Sequence, residues 1–140
     1  MGKINWGRVV LGGLLAGLVL NVLDFLVNGV WLGTEWNAAM QALGKGRMDA
    51  ALIKWFVISD FLLGIFMVWL YAAIRPRYGA GARTAVYAGV ATWLVIAFLH
   101  AMAEAPMGLF PQRLYVVTTL VSLVCVPLAA VTGAWQYKEM

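Results

Sequence analysis

Residues 8–32 run RVVLGGLLAGLVLNVLDFLVNGVWL, and the reading of this stretch decides the fold. As an α-helix it rises about 1.5 Å per residue and reaches roughly 37 Å, more than the ~30 Å hydrocarbon core of a bilayer. Its charges are Arg8 at the start and Asp24 well inside. A secretory leader begins in a similar way, with Lys3 and Arg8 ahead of an apolar run. Its apolar core, however, covers only about 7–15 residues and ends in a small-residue cleavage site. Here the run continues through Asn21, Asp24 and Asn28 to Trp31, so it reads as a retained transmembrane span. Trp6 stands where N-myristoylation requires Ser or Thr.

Three more apolar runs follow, over about residues 52–74, 84–104 and 112–136. The chain has 140 residues, of which 64% are hydrophobic and 11% charged, with a mean hydropathy of +0.86. A span takes roughly 20 residues, so four of them occupy most of one small domain covering residues 1–140. No room is left for a soluble catalytic or nucleic-acid-binding domain. The 10 Lys+Arg against 6 Asp+Glu therefore read as membrane topology, with lipid and not nucleic acid as the surrounding partner. Cys125 is alone in an apolar run, which excludes an intramolecular disulfide and a CxxC pair and reads as a small core residue.

The punctuation between the runs fixes their order. Arg75-Pro76-Arg77 is expected to stop the second span, because proline disfavours helix in the residue before it, and Gly79 and Gly81 make a short turn. Pro106, Gly108 and Pro111 mark another tight connection. Short connections force neighbouring helices to be antiparallel. The expected fold is thus all-α, an antiparallel four-helix transmembrane bundle. The one sizeable loop, residues 33–51, carries Trp36, Met40 and Leu43 on one helical face. Thr34 is placed to cap that helix and Gly44 to end it, which predicts an interfacial helix over about residues 35–43 in the first outer loop. With the N-terminus cytoplasmic, Lys3, Arg8, Arg75, Arg77, Arg83 and Lys138 lie inside, and Lys45, Arg47, Lys54 and Arg113 outside. This bias, and the arginines packed into the turn between spans two and three, place both termini in the cytoplasm.

Polar groups within spans are costly and point to packing or function. In the first span Gly13, Gly17, Asn21, Asp24 and Asn28 fall within an arc of roughly 80°. Its glycines permit close helix approach, as do Gly64 in the second span and Gly89 in the third. Asp24 lies roughly 24 Å along the helix from Arg8, His100 roughly 24 Å from Thr84, and Asp60 roughly 12 Å from Leu52. Asp24, Asp60, His100 and Glu104 are therefore expected at similar depth in the outer half, with Arg113 available to pair with one of them. Together with Asn21 and Asn28 they form a candidate polar pocket. One nitrogen and three carboxylates suit a proton, a cation or, less specifically, a divalent metal. In the fourth span Pro127 kinks the helix, and the hydroxyls of Ser122 and Thr118 can take up the freed carbonyl. Ser122 has no adjacent base to make it a nucleophile, and no cofactor motif is present.

The stretches Asn5-Trp6-Gly7-Arg8-Val9-Val10-Leu11-Gly12-Gly13-Leu14, Leu70-Tyr71-Ala72-Ala73-Ile74-Arg75-Pro76-Arg77-Tyr78-Gly79 and Gly108-Leu109-Phe110-Pro111 resemble a group of short, uncharacterised bacterial four-span membrane proteins. The resemblance implies a setting in the bacterial plasma (inner) membrane and carries no activity. The sequence alone therefore leads to a non-enzymatic accessory or structural subunit, in a homo-oligomer or larger membrane complex. A small proton- or cation-coupled transporter using the outer pocket is the alternative.

Overall fold

A computed structural model describes residues 2–140. Five helical segments account for the chain: α1 (Trp6–Trp31), α2 (Gly33–Ala42), α3 (Ala50–Tyr78), α4 (Ala82–Met107) and α5 (Gln112–Ala134). All but α2 are long and apolar enough to cross a membrane. Large apolar side chains such as Leu120, Val124 and Leu128 on α5 stay uncovered, as expected of faces that meet lipid. The protein is a multi-pass membrane bundle. α1 packs on α3 and α5, and α4 on α3 and α5, with α3 and α5 meeting across the diagonal.

The end that holds the chain termini is tightly closed. Its core joins Val9, Ala16, Met67, Val68, Tyr71, Ala88 and Ala130, and small residues let backbones touch there. A Cβ on Gly133 would lie 2.5 Å from the Gly12 carbonyl oxygen, and one on Gly89 would lie 2.5 Å from Pro127 Cα. Polar groups close the rim. The Gln136 amide donates to the Arg8 carbonyl at 3.0 Å, and the Asn5 amide donates to the Tyr137 hydroxyl at 3.2 Å.

Several local expectations are corrected. α3 runs through Pro76 to Tyr78. A proline in the last turn removes only one amide near the helix end, and Arg75 and Arg77 favour the negative end of the helix dipole. Gly79, at φ +87, then stops the helix while its amide bonds the Arg75 carbonyl at 2.8 Å. Thr34 is not a cap: Leu32 occupies the N-cap position of α2 without a side-chain bond, since α1 leads into α2 with almost no loop. Gly44 does end α2, at φ +71. The Lys45 and Gly44 amides bond the Met40 and Gln41 carbonyls, a Schellman pattern. The docked face of α2 is Trp36 and Ala39 with Leu32, packed on Leu114 and Phe110, and Leu43 is exposed. In α5 the Thr118 and Ser122 hydroxyls donate to the carbonyls of Leu114 (2.6 Å) and Thr119 (3.0 Å). Neither reaches the carbonyl of Leu123 that Pro127 leaves free.

The opposite end is built differently. The last seven residues of α1, Phe25–Trp31, form a π-helix, and so do Leu94–Leu99 in α4. There the amide bonds reach one residue further back, as from Leu32 to Val27 at 2.8 Å. The turn is wider and the following side chains rotate off the α-helical register. Residues 50–59 of α3 are exposed throughout, so the first turns of that helix are only loosely held by the bundle, through the Asn21 bond to the Val57 carbonyl. What the helices do not fill at this end, α2 covers.

Candidate functional site

Between α1, α4 and α5, beneath α2, lies a cavity of about 250 Å³. Its deep end is set by Leu20 and Val126, and its capped end by Trp36, Phe110 and Glu104. The two π-helical segments frame it. Asp24 is the last α-helical residue before one, and His100 is the first after the other. Widened turns thus occur directly at the polar positions of α1 and α4, where irregular backbone lining a cavity is tolerated in a membrane.

Asp24 lines the cavity, and its carboxyl is in hydrogen-bonding reach of Asp60, which approaches from α3. A hydrogen bond between two carboxyl groups requires one shared proton. Cys125 faces Asp24 from α5. Across the cavity His100 Nε2 meets Glu104 Oε2 at 2.8 Å, with the His100 side chain 66% accessible and Glu104 24%. The Tyr115 hydroxyl lies beside the Glu104 carboxylate without closing a well-formed hydrogen bond. Asn28 accepts the Trp36 indole N–H at 3.0 Å, and Trp36 stacks edge-on against Phe110 with centroids 5.3 Å apart.

Of the residues singled out from sequence, Asp24, Asn28, His100 and Glu104 line this one space, and Asp60 supports Asp24 from behind it. Asn21 does not take part. Its amide donates to the Gly17 carbonyl (3.0 Å) and, across the helix interface, to the Val57 carbonyl (3.4 Å). Gly13, Gly17 and Gly64 are engaged within the chain: a Cβ on Gly17 would stand 2.7 Å from Phe61 Cα, and one on Gly64 2.5 Å from the Gly17 nitrogen. Arg113 pairs with none of the pocket acids. It holds Glu35 on α2 at 3.1 Å, because the docked α2 brings that carboxylate to the start of α5. The pair is exposed and contributes under about 1 kcal/mol. Cys125 is half-exposed on the cavity wall and not in the core. The four-ligand metal arrangement does not form: among the described residues, no three His, Cys, Asp or Glu side chains gather closely enough to hold an ion.

Sequence reasoning missed three contributors. Trp93 donates its indole N–H to the Thr119 carbonyl (2.9 Å) and the Ser122 hydroxyl (3.1 Å), tying α4 to α5 just below the cavity. Its mid-span position was the available signal, since a buried tryptophan N–H needs an acceptor. Tyr115 and Thr119 also line the wall, and nothing in their spacing marks them. No known protein family, curated protein or solved structure matches the chain.

Proposed function

We propose that the chain is a non-enzymatic multi-pass protein of the bacterial inner membrane, with both termini cytoplasmic, that binds a small solute in the capped cavity and exchanges it for a proton at Asp24–Asp60. The carrying observation is the contact of these two carboxyls at the wall of a half-open cavity, with the bundle below sealed by backbone-to-backbone packing. The groups facing Asp24 are Asp60 from α3 and Cys125 from α5, with His100 and Glu104 on α4 across the cavity. A proton is held between the carboxyls until a solute competes for the site.

The test uses proteoliposomes loaded with a pH-reporting dye and challenged in turn with phenyltrimethylammonium, benzenesulfonate and urea. At least one solute is expected to move protons tenfold faster than in liposomes carrying Asp24→Asn, with Glu139→Gln, at the far end beside Arg75, behaving as wild type. Proton movement no faster than in protein-free liposomes for all three would sink the reading.

A second reading, an accessory subunit, is favoured by residues 50–59 of α3, all of which are exposed. Native mass spectrometry of protein extracted from its own membrane is expected, on that reading, to find a larger complex. A monomer carrying only lipid would remove it.

A further inference from the structure

The proposed exchange leaves the chemistry of the solute open, and the walls of the cavity narrow it; the inference rests on that exchange reading. Charge comes first. Asp24 and Glu104 line the space, Asp60 stands behind Asp24, the one basic group on the wall, His100, is engaged by Glu104 at 2.8 Å, and no Lys or Arg lines it. Arg113, at the same end, is already engaged by Glu35. An anion would face carboxylates with no compensating cation, and a neutral solute would leave a carboxylate in a low-dielectric space without a counter-charge. A single positive charge meets the carboxylates directly and, on replacing the proton, leaves the net charge of the Asp24–Asp60 pair unchanged.

Hydrogen bonding points the same way. The hydroxyl protons of Thr118 and Ser122 go to backbone carbonyls, and the Trp36 N–H goes to Asn28. These three donors are not available to an anion, and the Tyr115 hydroxyl, which has no partner, lies beside Glu104, whereas the Asp24 oxygens and the second Glu104 oxygen remain to receive a cation. The capped end is aromatic: Trp36, Phe110 and Tyr115 form a chain of ring contacts at 5.3 and 6.1 Å, surfaces that attract cations. Size sets the last limit. A cavity of about 150 Å³ accepts benzene, so scaling to this volume admits about ten non-hydrogen atoms.

We infer that the cavity takes a monovalent organic cation of about this size, its charge at Asp24 and its apolar body between Ile96 and the aromatic cap. The cation displaces the proton from the Asp24–Asp60 pair, and that proton leaves to water.

Cys125, the chain's single cysteine, reports occupancy because it sits on the cavity wall. Three probes of matched size differ only in charge: phenyltrimethylammonium, tert-butylbenzene and benzenesulfonate. In nanodiscs, phenyltrimethylammonium is expected to slow alkylation of Cys125 by a small maleimide at least tenfold, and the other two less than twofold. Asp24→Asn is expected to erase the difference between probes, and Ala101→Phe, which fills the space, to erase protection altogether. Better protection by tert-butylbenzene or benzenesulfonate overturns the cation assignment while leaving a solute cavity in place. No protection by any probe overturns the cavity reading itself. The comparison of probes on the wild-type chain stands whether or not either variant folds.

Discussion

Gly64→Leu is expected to abolish the folded bundle. A Cβ at this position would press on the Gly13 carbonyl oxygen, lie 2.5 Å from the Gly17 nitrogen and 3.0 Å from Gly17 Cα. All three are backbone atoms of α1, which cannot turn aside as a side chain can. The contact is reciprocal, since a Cβ on Gly13 would stand 2.7 Å from the Ile65 nitrogen. Accommodating the leucine means separating α1 from α3 along their length. That loses the Asn21 bond to the Val57 carbonyl and the Asp24–Asp60 contact along with the packing. Overpacked cores that relax through side chains cost about 1–3 kcal/mol. Here no side-chain relaxation is available, and the cost belongs with the exceptional changes above about 4 kcal/mol. Unfolding in mixed detergent, followed by tryptophan fluorescence, should show no cooperative transition. Gly46→Ala, where nothing lies within 4 Å, should unfold as wild type. An unshifted Gly64→Leu midpoint would mean that α1 and α3 do not meet as described.

These glycines also indicate what the sequence can convey. The spans and their alternation are readable from apolar length, because a bilayer imposes that length on any helix that crosses it. The shared depth of Asp24, Asp60, His100 and Glu104 is readable too, since rise per residue is fixed by helix geometry. The choice of neighbour is not. Gly12 and Gly13 look like one small patch, yet Gly13 faces Ile65 on α3 while Gly12 faces Gly133 on α5, and only the assembled bundle separates the two faces. The π-helical turns are equally hidden. FLVNGVW and LVIAFL are largely apolar sequences, and no residue in them marks the widened hydrogen bonding. Because of those turns, angles counted at 100° per residue from Gly13 or Gly89 stop being valid beyond Asp24 and Trp93. The partner of Arg113 depends on a still longer-range event, the docking of α2, since without it Glu35 is simply one more loop carboxylate.

That docking is most exposed to a single substitution at Trp36. Trp36→Ala is expected to release α2 from the bundle while leaving the terminal half intact. The indole contributes three things: its N–H to Asn28 at 3.0 Å, its edge-on contact with Phe110, and apolar cover over the cluster of Leu32, Ala39 and Leu114. Truncating a large aromatic in a packed site costs about 3–5 kcal/mol, and because Trp36 is only half-buried the lower end, about 3 kcal/mol, applies. Little else anchors the helix. The Glu35–Arg113 pair is solvent-accessible, and Leu43 does not pack. The loss therefore falls on a local opening and not on global unfolding. At about 1.4 kcal/mol per tenfold, amide exchange in residues 33–43 should accelerate about a hundredfold. Exchange around Ala88 and Ala130, in the core at the terminal end, should be unchanged. Trp36→Phe keeps a ring against Phe110 and gives up only the indole bond, so it should fall between the two. Exchange in α2 that stays at the wild-type rate would mean that Trp36 does not hold the cap. Acceleration spread equally to Ala88 and Ala130 would mean that the two ends of the bundle unfold as one unit, with the cavity end contributing stability that its sparse packing does not suggest.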